Sequence, residues 1–192
     1  MPTPSLQHKA PAWLLLVAGI LLLQVAMARS DGGFEVLRAA TELVDGVYHL
    51  DADVRYRFSD AVQEALHSGV PLTIEMEIQV VHPRNWVWDA GVAALYQQYR
   101  LKYHALTGQY IVTNLNSGVQ SSYPTQPLAL RALGSVAQLP LIDRRLLAAN
   151  AAYEGRLRVQ LLLSTLPSPL RLWAYLSPEW WQKSQWYTWK LQ

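Results

Sequence analysis

Tyr99-Arg100-Leu101-Lys102-Tyr103-His104-Ala105-Leu106-Thr107-Gly108, continuing as Gln109-Tyr110-Ile111-Val112-Thr113-Asn114-Leu115-Asn116-Ser117-Gly118, decides the class of fold. On the first arm Tyr99, Leu101, Tyr103 and Ala105 alternate with Arg100, Lys102 and His104. A period of two places the apolar set on one face of a strand, whereas a helix would need a period near 3.6. Leu106-Thr107-Gly108 reads as the turn to a second arm, and Asn114 to Gly118 carries the turn chemistry that closes it. The stretch is therefore a β-hairpin at the centre of a scaffold.

The same period recurs on both sides. Leu72, Ile74, Met76, Ile78 and Val80 alternate with Thr73, Glu75, Glu77 and Gln79. Tyr48, Leu50, Ala52, Val54, Tyr56 and Phe58 alternate with His49, Asp51, Asp53, Arg55 and Arg57. Phe34 to Val44 precedes that strand through Asp45-Gly46, a strong two-residue hairpin signal. Ser59-Asp60 is expected to cap a short helix from Ala61 to Ser68, with Gln63 placed to complete a capping box on Asp60 and Gly69 ending it. Further strands are expected at Val119–Tyr123, Leu139–Ile142, Tyr153–Leu163, Arg171–Leu176 and Trp186–Trp189. A helix through Gly134 tolerates Pro127 in its first turn. Asp143 can cap one more turn from Arg144 to Ala149, Leu166-Pro167-Ser168-Pro169 reads as a rigid turn, and Ala90–Leu95 is ambiguous. About eight short strands with two or three short helices predict a mainly β chain, an antiparallel β-sandwich that is immunoglobulin-like in a loose sense. The alternative is an α+β open antiparallel sheet covered by helices.

Residues 1–28 form a separate segment. Lys9 precedes an apolar run from Trp13 to Leu23, and Ala26-Met27-Ala28 is a small-x-small site. That layout predicts a signal peptide cleaved after Ala28, leaving residues 29–192 as a single β-rich periplasmic domain. The run from Pro11 to Val25 is short for a membrane span, and an uncleaved inner-membrane anchor is the alternative. The chain has 192 residues, 51% of them hydrophobic and 16% charged, enough apolar content for a sizeable core. With 16 basic and 14 acidic residues the net charge is +2; removing Lys9 leaves 15 against 14, or +1. A near-neutral chain without a Lys/Arg run gives no electrostatic footprint for nucleic acid. With no cysteine there are no disulfides, thiol chemistry or lipid-attachment thiol.

Several motifs, in order behind that leader, carry a resemblance: Gly69-Val70-Pro71-Leu72-Thr73, Tyr99 to Leu106, Val112 to Gly118, Leu139-Pro140-Leu141-Ile142-Asp143 and Tyr175-Leu176-Ser177-Pro178-Glu179-Trp180. Together they resemble a proteobacterial family of exported domains of unknown function, over essentially the whole mature chain. Genes of that family often lie beside a membrane sensor histidine kinase of the nitrogen-regulation (NtrY-like) type and its response regulator. The resemblance implies a periplasmic address and a signalling context, and it carries no catalytic residue or cofactor.

Candidate chemistry is sparse. Asp51 with Asp53, and Glu75 with Glu77, project in pairs from strand faces, roughly 7 Å apart. The plainer reading is a solvated sheet face with Arg55, Arg57, Arg100 and Lys102 as cross-strand partners. His49, His67, His82 and His104 form no metal-ligand spacing, and neither a nucleophile elbow nor a phosphate loop is present. The aromatic cluster is more unusual. Of eight tryptophans, five are Trp173, Trp180, Trp181, Trp186 and Trp189, with Tyr175 and Tyr187 among them. They are either the plug of an open sandwich end or a platform for glycan or a protein partner. Trp186 and Trp189, three apart, cannot share one strand face. Trp86 and Trp88, two apart, do share one, which suits a core or a groove.

The leading expectation is a non-enzymatic periplasmic binding or regulatory module, accessory to the sensor kinase, with no cofactor. The alternative is a binder of envelope glycan through exposed tryptophans, and an uncharacterised hydrolase comes third. The candidate ligand or partner surface is Trp86, Trp88, Trp173, Tyr175, Trp180, Trp181, Trp186 and Trp189.

Overall fold

A computed structural model describes residues 32–83 and 90–191 of the chain. Trp86 and Trp88 lie outside the described residues. The described chain runs through β1 (Gly33–Val44), β2 (Val47–Arg57), α1 (Asp60–His67), β3 (Leu72–His82), β4 (Ala90–His104), β5 (Gln109–Asn114) and β6 (Gln120–Tyr123). It continues with α2 (Gln126–Gly134), β7 (Ser135–Asp143), β8 (Glu154–Leu161), α3 (Ser168–Leu176) and β9 (Tyr187–Lys190), with short 3-10 turns between. The strands form two antiparallel sheets, one of order β1-β2-β7 and one of order β6-β5-β4-β3-β8-β9, and neither closes into a barrel.

The Tyr99–Gly118 stretch is the β4–β5 hairpin, paired from Tyr99↔Asn114 to His104↔Gln109. The His104 carbonyl accepts from the Thr107 and Gly108 amides, which closes the turn. Asn114 then accepts from the Asn116 and Ser117 amides, an Asx turn that shapes the second bend. The β1–β2 hairpin turns on Asp45 and Gly46, both at positive φ (50° and 84°), the left-handed pair that a two-residue turn of matching twist requires.

The alternating faces meet in one core. Leu50, Ala52, Val54 and Tyr56 of β2, with Phe58 just past its end, point to it from the smaller sheet, and Leu72, Ile74, Met76 and Ile78 of β3 from the larger. Leu101, Val112, Leu157 and Val159 extend it across the larger sheet, and Val62, Leu66, Ala129 and Leu133 close it from α1 and α2. Each buried aliphatic side chain contributes about 1.5–3 kcal/mol of transfer free energy, so this layer dominates the stability. At its far edge Trp189 of β9 lies across Gly155 of β8, where a Cβ would overlap the indole. The Trp189 Nε1 donates to Thr41 Oγ1 of β1 at 3.3 Å and so joins the two sheets.

The structure corrects or sharpens four expectations. Arg171–Leu176 is not extended: it belongs to α3, whose first turn takes Pro169 where its missing N–H costs nothing. Ala90–Leu95 continues β4, because pairing with β3 overrides the helix preference of alanine and leucine. Of the expected Ser59-Asp60 cap, Ser59 is the capping residue, its hydroxyl accepting from the Val62 amide, and Asp60 is the first residue of α1. Finally, the polar face of β3 is not fully wet, since Thr73 and Glu77 are buried beneath long side chains of the neighbouring strands.

Candidate functional site

Two surfaces stand out, one polar and one apolar. The polar one is the outer face of the larger sheet, where register fixes each contact. Glu75 of β3 lies between Gln98 of β4 and Gln160 of β8, and both amides donate to its carboxylate, at 2.8 and 2.9 Å. On the next rung Glu77 faces Tyr96 and Arg158. Arg158 donates to Glu77 at 2.5 Å, Gln79 donates to it at 2.7 Å, and the Tyr96 hydroxyl approaches at 3.5 Å. The Arg158 guanidinium also lies over the Trp186 ring, 4.5 Å from its centroid. The Arg158 charge thus sits between a carboxylate and an indole, while its buried Nε has no hydrogen-bond partner among the described residues.

The expected acid pairs are thus brought into contact with partners, but mostly not the expected ones. Asp53 pairs with Arg38 at 3.1 Å, Arg55 with Glu35 at 3.2 Å, and Asp51 accepts from the backbone and side chain of Gln138. Arg158, the partner of Glu77, was invisible in the sequence because 81 residues separate the two. The four histidines lie apart. His49 donates to the Val47 carbonyl, His82 to the Ala152 carbonyl, His67 pairs with the Tyr110 hydroxyl, and His104 with Thr107. Among the described residues no group of three His, Asp or Glu side chains is placed to hold a metal ion.

Two larger cavities bring no histidine together either. One of about 580 Å³ is lined by Leu37, Tyr56, Leu130, Arg55 and Arg131 among others. Burial pushes the Tyr56 phenol well above its ordinary pKa, with Tyr99 adding to the effect. The other, of about 570 Å³, holds Asp143 and Arg145 beside Tyr48 and Tyr153. There the Arg145 side chain, and then its amide, hydrogen-bond to Asp143 and hold that carboxyl down to about 2.

The aromatic cluster divides. Trp180 is core, 2% exposed, and Trp189 packs on the core from β9. Trp186 lies on the opposite face from Trp189, as their spacing demanded, and is 38% exposed over Arg158. Trp173, Tyr175 and Trp181 face outward at 63%, 48% and 59% exposed. Leu172 and Leu176, which had not been singled out, join them at 71% and 74%.

These residues make the second surface. At 3.6 residues per turn Tyr175, Leu172, Leu176 and Trp173 sweep an arc of roughly 160°. The opposite side of α3 is also apolar: Ala174 is buried and Leu170 packs against the core. An ordinary surface helix turns its apolar stripe inward and its polar side out; α3 is apolar on both. The one charge on it, Arg171, is turned back to donate to the Leu166 carbonyl at 3.0 and 2.9 Å. Past the helix, Tyr175 and Trp181 line a shared cavity of about 270 Å³ with Leu161, Leu163 and Lys183.

The fold just described coincides with a known unit. The family model described as a domain of unknown function, DUF4390, matches residues 31–190, from the start of β1 to the end of β9. The chain belongs to the DUF4390 family. No curated protein and no solved structure gives a match. The DUF4390 unit therefore contains both surfaces, the ion-paired sheet face and the bare helix face.

Proposed function

We propose that this DUF4390 chain is an exported, non-catalytic binding or regulatory module that docks through the α3–Trp181 face at the outer surface of the inner membrane. The observation that carries the reading is the outward arc of Leu172, Trp173, Tyr175 and Leu176 on a helix whose inner side is apolar too. Exposed apolar area gathered in one place marks a contact surface. Export is supported by Lys9, the apolar run that follows it and Ala26-Met27-Ala28. The partner that the family resemblance suggests is a membrane sensor kinase.

The test is sedimentation of the protein with native membranes, comparing the natural chain with a Leu172→Ser/Leu176→Ser variant. Co-sedimentation that the variant loses is expected, together with a changed output of the kinase reporter. Equal behaviour of the two chains would sink the docking role, and an unchanged reporter would sink the kinase role alone.

A second reading, binding of envelope glycan, has its own support. Tyr96 and Trp186, both exposed, flank the Glu77–Arg158 pair, aromatic rings beside polar groups. Quenching of tryptophan emission by peptidoglycan fragments, abolished by Trp186→Ala, is the expected result of that reading.

A further inference from the structure

We infer that the occupant of the α3–Trp181 face is the lipid bilayer surface itself; this rests on the reading that the face is the docking surface, and names what it docks on. Leu172 and Leu176 are aliphatic anchors, while Trp173, Tyr175 and Trp181 carry amphipathic rings of the kind that settle at the boundary between headgroups and acyl chains. No ionisable side chain lies within the arc itself: Arg171, at its edge, is turned back to the Leu166 carbonyl, and Lys183 stands beside Trp181 in the shared cavity. Seating the arc shallowly in the boundary layer leaves both cations at headgroup level.

Size points the same way. The apolar patch is compact, five exposed side chains on one short helix and the following turn. A membrane surface needs only a shallow apolar contact for reversible binding.

The chain's own connectivity supplies the remaining argument. The described chain enters the domain at Gly32, which is packed so closely on Gln182 and Ser59 that a Cβ there would overlap both. Gln182 is the residue next to Trp181. Six residues, 26–31, separate the apolar run ending at Val25 from Gly32, a reach of at most about 25 Å. Chain entry therefore lies beside the Trp181–Gln182 segment.

The experiment uses protein-free vesicles. The chain from Arg29, whose described core draws on residues from Phe34 to Trp180, is mixed with phosphatidylcholine vesicles and with phosphatidylethanolamine–phosphatidylglycerol vesicles. Circular dichroism first establishes that each variant is folded. Flotation and the tryptophan emission spectrum report binding. The expected result is partition to both vesicle types, with emission moving to shorter wavelength. It should fall about tenfold or more in Leu172→Ser/Leu176→Ser and persist in Trp186→Ala. Binding to native membranes through the same residues, with none to either vesicle type, would overturn the lipid contact and leave the docking reading intact, with a protein as occupant. A concentration-dependent dimer that the double variant dissociates, again without vesicle binding, would overturn it in favour of a second copy. Binding to neither vesicles nor native membranes would remove both.

Discussion

The outer face of the larger sheet and the outer face of α3 invert what their sequences advertise. Glu75 and Glu77, two carboxylates side by side on a strand, look like acid–base chemistry. They are tied down instead: Glu75 by two glutamine amides, Glu77 by Arg158, which Trp186 covers. The stretch Leu170-Arg171-Leu172-Trp173-Ala174-Tyr175-Leu176 looks like core, yet four of its apolar side chains are bare. The first region has its carboxylates matched within the molecule, with the buried Arg158 Nε left without a hydrogen-bond partner among the described residues. The second has none matched and is left for something outside.

The comparison breaks most readily at Glu77. Replacing it with Ala leaves the Arg158 charge half-buried without its carboxylate, and about 3–5 kcal/mol of stability should be lost, read from urea denaturation. Membrane association of the folded fraction should be unchanged. A Glu77→Leu/Arg158→Met double variant should recover much of the loss, since no charge is then stranded; no recovery would mean that the pair stabilises beyond its own desolvation.

A smaller effect is expected at Trp186. Trp186→Ala removes the ring over the guanidinium and should cost about 1 kcal/mol, with a further loss in the Arg158→Ala background that is smaller than in the natural chain. Strict additivity would deny the contact.

The exposed pair Asp143–Arg145 calibrates the buried one. The hydrogen bonds from Arg145 hold the Asp143 carboxyl at about 2 in the folded chain, against an ordinary value of 3.8. The folded state therefore favours the ionised form, so its contribution is complete above about pH 4 and is lost as pH falls through 2. Carbon-13 titration of Asp143 should give that low midpoint, and Arg145→Ala should return it toward 3.8. Solvent surrounds this pair, so Arg145→Ala should leave the melting temperature near that of the natural chain, unlike Glu77→Ala.

The smallest effect on stability belongs to α3. Leu172→Ser/Leu176→Ser should change unfolding free energy by no more than about 0.5 kcal/mol per position while abolishing docking. A large loss of stability would mean that those leucines are packed, and the contrast between the two regions would fail.

How far the sequence could be read follows the same division. The hairpins at Asp45-Gly46 and Thr107-Gly108 were legible because a period of two and a turn residue agree locally. Glu77's partner was not, because pairing β3 with β8 is a matter of register between distant strands. α3 was misread as extended for a different reason. A nine-residue helix with a single charged residue is too short a window to tell a 3.6 period from a period of two, and its leucine and aromatic run fits a strand equally well. Pro169 was the one available signal, being tolerated in a first helical turn and awkward in a strand. Which tryptophans are bare could not be read at all: Trp180 and Trp181 are neighbours in sequence and opposites in exposure.

The indole of Trp189 over Gly155 has a consequence for the order of assembly. It fills the space that a side chain on β8 would take, and its Nε1 reaches across to Thr41 on the other sheet. Among the described strands β9 comes last in chain order. The clasp between the sheets can snap shut only on a β8 already seated beside β3 and a β1 already in place, so nearly the whole chain must be laid down before the core is closed to water at that edge.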